Sequence, residues 1–185
     1  MRIHADKLIL ELIELTYQNI ENVKLMLQNT MEELNWRIES NRWTALEGIA
    51  HLNLFNNFYL HELKYGINKR LKPANPIFET GMIGNYYVNL LQSTKFKIEI
   101  PKTMNPKGNI LSKKILEEFI MDQYEIIWLL EDANRVNLNK TKTAVSFSRC
   151  IKFKLGDTFR FLVYYNEKYT RRALRILDSK KCEAA

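Results

Sequence analysis

The sequence predicts an all-α protein: a four-helix bundle with one long crossover between the second and third helices. Two observations carry this. Four segments repeat apolar residues three and four apart, the spacing that places them on one helix face. All four prolines and four of the six glycines fall between Gly66 and Gly108, where no continuous helix can form. The chain has 185 residues, 46% of them apolar and 26% charged, the balance of an ordinary globular domain.

The first helix is LILELIELTYQNIENVKLML, whose stripe runs Ile9, Leu12, Ile13, Thr16, Ile20, Val23 and Leu27. The second opens at RWTALEGIAHLN and extends to about Gly66. Thr44 and Glu47 have the spacing of a capping box, hydroxyl to backbone NH and carboxylate back to the cap NH. Inside the crossover a short helix is expected near Gly84 to Gln92 and an extended piece near Lys95 to Ile100. The third helix, ILSKKILEEFIMDQYEIIWLLEDAN, shows Ile115, Phe119, Tyr124, Ile126, Ile127 and Leu130 on a broad face and ends near Asn134. KTKTAVSFSRCIKF reads as a loop or short strand. The last helix begins at Asp157, a cap following Gly156, and runs through FRFLVYYNEKYTRRALRIL. A linker between two domains is the rival explanation of the crossover. Neither flank has enough helices to bury its own face, so a single domain over 1–185 is expected.

No run approaches the length of a membrane span, and the opening MRIHADKLILELIEL carries acidic residues where a signal peptide is apolar, so no membrane association and a cytoplasmic location are expected. Cys150 and Cys182 lack metal-site spacing and are read as idle thiols. The net charge of +7 invites a nucleic-acid partner, but Lys and Arg are spread along the chain and interleaved with Glu. The one cluster, Arg171, Arg172, Arg175, Lys180 and Lys181, complements the dipole of a helix C-terminus.

The pieces LNWRIESNRWTALEGIAHLN and LGDTFRFLVYYNEKYTRRALRIL, in that order, resemble the DinB-like superfamily, which includes the YfiT-type proteins. The most specific part is Trp-x-x-x-Glu-x-x-x-His-Leu, matched by Trp43, Glu47, His51 and Leu52. The resemblance implies an up-down-down-up bundle, often a homodimer, with a divalent metal held by one His of the second helix and an HxxxH pair of the fourth. Members with known activity act as transferases or isomerases with low-molecular-weight thiols of the bacillithiol or mycothiol type. Carried over residue by residue, the first ligand falls on His51, the HxxxH pair on Tyr165 and Tyr169, and a following Gln on Arg172.

Two of the three ligands are thus phenols, which must lose a proton with a pKa of about 10 before binding zinc or nickel well. His61 lies ten residues from His51, roughly 15 Å along the helix. His4 falls in a frayed first turn, and the capping role accounts for Glu47. His51 is therefore expected to be hydrogen-bonded to Tyr165, Tyr169 or a backbone carbonyl, and is only a weak metal candidate.

Tyr165 and Tyr169 flank a stripe of Leu155, Phe159, Leu162, Ala173 and Leu177. The same helical arithmetic puts Asn166 near its middle and turns Asn53 and Asn57 of the second helix inward. These groups form either a structural network or a small pocket for a ligand held by hydrogen bonds. A Tyr–His pair has acid–base chemistry available, but no phosphate loop, nucleophile elbow or framed carboxylate pair accompanies it. The expected protein is a non-catalytic or small-ligand-binding homodimer with no cofactor. The alternative is a metal-dependent transferase acting on a low-molecular-weight thiol, with zinc or nickel at His51.

Overall fold

The computed structural model describes residues 1–69, 73–93, 101–107 and 111–183. They are mostly helical, with two small two-stranded sheets. In chain order the elements are β1 (Arg2–His4), α1 (Ala5–Leu27), α2 (Met31–Leu34), α3 (Ala45–Asn68), β2 (Ile77–Glu79), α4 (Met82–Gln92), α5 (Lys114–Asp132), β3 (Lys142–Val145), β4 (Ser148–Lys154) and α6 (Leu155–Glu183). Short 3-10 turns cover Lys102–Met104 and Ala133–Arg135.

The four long helices share one core: α3 packs on α5 and α6, and α1 packs on the same two. The stripe read on α1 is buried at Ile9, Leu12, Thr16, Ile20 and Val23. α3 starts where its capping box predicts. The Thr44 hydroxyl accepts from the Glu47 N–H, and the Glu47 carboxylate accepts from the Thr44 N–H. On α5 the buried face is rotated from the expected one. Phe119, Ile126, Ile127 and Leu130 are inside, but so are Leu116 and Gln123, while Tyr124 is exposed.

Between α3 and α5, α4 lies where a short helix was expected; the extended piece near Lys95 to Ile100 falls outside the described residues. KTKTAVSFSRCIKF forms the β3–β4 hairpin, which docks on α3. There Glu62 accepts from the Ala144 N–H at 2.7 Å and the Tyr59 hydroxyl from the Ser146 N–H at 3.2 Å.

Two local expectations need correction. His4 is not in a frayed helical turn: it sits in β1, opposite Ile77, and β1 clips the crossover strand β2 to the start of α1. Asp157 does not cap α6, which begins two residues earlier. The Leu155 and Gly156 N–H groups donate to the Thr141 and Leu138 carbonyls, so a side-chain cap is not needed there.

Asp157 instead anchors α4. Its buried carboxylate accepts from the Gly81 N–H at 2.7 Å and from Arg160 at 3.1 Å, and Arg160 also reaches the Asn85 side chain. Burial raises the Asp157 pKa, and the Gly81 bond and Arg160 oppose it. Gly84 is required by this contact, because a Cβ there would lie 2.5 Å from the Asp157 Cβ. Gly156 is required in the same way beneath the buried ring of Phe78.

Gly84→Ala is therefore expected to lower the free energy of unfolding by about 1–3 kcal/mol in urea denaturation. An unchanged midpoint would mean that α4 does not seat on Asp157.

Candidate functional site

Trp43, Glu47 and His51 recur every four residues and so share one face at the start of α3. Glu47 is buried, and Arg37 grips both of its oxygens at 2.7 and 2.8 Å while one of them also caps the helix. Arg37 and the Thr44 N–H give this carboxylate a structural role. The Trp43 ring leans on the imidazole with centroids 4.9 Å apart.

From α6, Tyr165 and Tyr169 project onto the same imidazole. Their rings stack on each other at 4.7 Å, and Tyr165 also stacks on Phe55 of α3 at 3.9 Å. Exposure is 1% for His51, 3% for Tyr165 and 8% for Tyr169, so the three polar tips are buried within aromatic packing.

Both imidazole nitrogens are engaged. Nδ1 lies 2.7 Å from the Met104 carbonyl, and Nε2 lies 2.8 Å from the Tyr165 hydroxyl. A carbonyl only accepts, so Nδ1 carries the proton. In the neutral ring Nε2 then accepts from the phenol. Burial pushes the His51 pKa below its ordinary value, against the raising effect of the Met104 carbonyl, which keeps the neutral form dominant at pH 7. Burial drives the Tyr165 pKa far above the ordinary phenol range, and Tyr169 adds to it. The pair is a neutral donor–acceptor unit at physiological pH.

The donor set does not fit the divalent metal implied by the DinB-like resemblance. The lone pair a metal would take on Nε2 is occupied by the Tyr165 proton, and the phenolate needed from Tyr165 is strongly disfavoured. His4 and His61 are exposed. Among the described residues no group of three His, Cys, Asp or Glu side chains is placed to hold an ion.

No protein-family model, curated protein or solved structure matches the chain.

The remaining polar positions divide. Asn166 is fully buried, and neither amide atom has a hydrogen-bond partner among the described residues. The Thr170 hydroxyl, one turn on, donates to the Asn166 backbone carbonyl at 2.9 Å and lies 3.3 Å from the Asn19 side chain of α1. Asn53 is half-buried and donates to the Ile115 carbonyl of α5 rather than toward His51. Asn57 is exposed, contrary to its expected inward position. Asn56 takes the buried place, because α3 turns a broad face toward α5 as well as α6. Asn56 faces Asp122, whose pKa burial raises to about 6 with the Asn56 contact opposing the rise. Arg172 is exposed and lines surface cavities beyond Trp43.

A backbone carbonyl was among the expected partners of His51; that Met104 of the crossover supplies it was not anticipated. A backbone oxygen supplied by a distant turn has no side-chain signature.

Tyr165→Phe leaves a buried Nε2 without a donor and is expected to cost about 1–3 kcal/mol in urea denaturation near neutral pH. A neutral result would mean that the hydroxyl does not hold the ring. The depressed His51 pKa also has a signed consequence. The unfolded chain, titrating near about 6.5, binds more protons than the folded one, so stability is lost as pH falls below that value. Asp122 acts oppositely, its contribution being present below its ordinary 3.8 and lost as pH rises through about 6. Subtracting the His51→Gln stability profile from wild type isolates the histidine. The wild-type advantage is expected to shrink between about pH 7 and 5, and a constant difference would contradict the assignment.

Proposed function

We propose that the chain is a DinB-like four-helix bundle in up-down-down-up order that lacks a functional metal centre. It works without catalysis, as a structural or small-ligand-binding protein. The observation that carries this reading is the double engagement of His51, which leaves no nitrogen free for an ion or for proton transfer to a substrate. His51 and Tyr165 serve as a hydrogen-bonded pair within the core.

Contact order supports the proposed helix directions. Asn53 meets Ile115 and Lys64 meets Glu125, so α3 and α5 advance together. His51 meets Tyr165 and Tyr59 meets Phe161, so α6 runs against them. Asn19 of α1 meets Thr170, and Glu32 of α2, which follows α1 in the chain, meets Lys180 further along α6, an order that fits α1 running with α6.

We read the protein as a homodimer. Leu10, Tyr17 and Leu25 of α1 and Met121, Tyr124 and Trp128 of α5 are exposed apolar side chains on two helices packed against each other, a surface suited to a second copy. Among the described residues no helix is long and apolar enough to cross a membrane.

Protein purified without an affinity tag is expected to contain substoichiometric zinc and nickel by elemental analysis, unchanged by His51→Ala. Stoichiometric metal that disappears in the variant would overturn the reading and favour the thiol transferase. Light scattering after size exclusion is expected to give twice the chain mass, reduced to one by Trp128→Glu. A monomeric wild type would remove the dimer.

A further inference from the structure

Two cavities open side by side along the C-terminal half of α6, and Arg172 and Arg175 line both. The smaller, about 240 Å³, is lined by the apolar Ile38, Trp43 and Ile176, by Arg42, Arg172 and Arg175, and by Glu39 and Ser179. The larger, about 560 Å³, continues past the same arginines to Tyr164, Lys168 and Arg171.

The cations lining these cavities are not equivalent. Arg42 pairs with Glu39 and Arg171 with Glu167. Lys168 donates to the Leu91 and Ser93 carbonyls at 2.6 and 3.1 Å, closing the C-terminus of α4. Arg172 and Arg175 form no ion pair with a carboxylate among the described residues, and both are exposed. Three residues apart, they stand on one helix face. Their positive field reaches Lys168, whose ammonium is pushed below its ordinary pKa first by burial and then by Arg172 and Arg175.

A solvated helix end has no need of an apolar recess beside its arginines. A nucleic-acid backbone would call for an extended basic strip, whereas this cavity is bounded by Ile38 and Trp43. We infer that Arg172 and Arg175 clamp the phosphate of a small phosphate monoester whose apolar body enters the cavity formed by Ile38, Trp43 and Ile176. Two planar guanidinium groups supply paired N–H donors for three terminal oxygens and a charge near −2, whereas a carboxylate would satisfy only one of them. The recess is smaller than the roughly 300–1,000 Å³ of pockets for larger ligands, so it suits one ring or a short chain.

This site lies outside the His51 cluster and stands whether or not that cluster binds metal. Trp43 is the wall between them, which makes its fluorescence a reporter of occupancy.

The test is calorimetric titration of the full chain at low ionic strength with phenyl phosphate and, separately, inorganic phosphate. Phenyl phosphate is expected to saturate one site and to bind at least about tenfold tighter than inorganic phosphate. The Arg172→Ala, Arg175→Ala double variant, altered only at exposed positions, is expected to lose at least about tenfold in affinity with an unchanged melting curve. Ile38→Ser, also at an exposed position, is expected to weaken phenyl phosphate and leave inorganic phosphate unaffected. Absence of saturable binding, or binding that survives loss of both arginines, would overturn the inference. So would equal affinity for the two phosphates, the mark of a plain anion patch.

Discussion

A neutral buried imidazole must have one acceptor and one donor, and in this protein that requirement joins three separate parts of the chain. α3 carries His51, α6 brings the Tyr165 hydroxyl, and the 3-10 turn at Lys102–Met104 brings a carbonyl. If either partner is lost, a polar nitrogen is stranded among Trp43, Phe55 and Tyr169, where water cannot replace it cheaply. The crossover is fastened at this point, and again at its other end, where Gly81 and Gly84 close on Asp157 and β2 pairs with β1. These attachments let a long connection with little core of its own lie against the bundle.

The same bonds determine what His51 does chemically. An imidazole with a free Nε2 can meet an ion directly; here Nε2 accepts the Tyr165 phenol proton while Nδ1 donates to the Met104 carbonyl. Glu47 has undergone a similar commitment through Arg37 and the helix cap. The residues with the strongest catalytic reputation are therefore those most fully used in holding the fold. The surplus positive charge is available elsewhere, at Arg172 and Arg175 on the outer side of Trp43.

Much of this was legible in the sequence, for identifiable physical reasons. Apolar periodicity located the long helices, and the Thr44–Glu47 spacing located the start of α3. The crossover was marked by proline and glycine. Four-residue spacing put Tyr165 and Tyr169 on one face, and both rings pack on His51. What was not legible depends on long-range partners. Asp157 has the local signature of a cap, yet its carboxylate is taken by a glycine N–H 76 residues away. Asn57 and Asn56 differ by one position, and only the packing of α3 on α5 decides which is buried. Arg37, ten residues from Glu47, follows no helical spacing, and Met104 contributes only its backbone.

The state of the His51 ring tests the central claim most directly. Nitrogen-15 chemical shifts of the histidine side chains, assigned through His51→Gln and followed across neutral pH, report which nitrogen is protonated. The account predicts a neutral ring protonated at Nδ1, resisting protonation to below the ordinary histidine value of about 6.5. An imidazolium at neutral pH, a proton on Nε2, or shifts that change on adding zinc would contradict it.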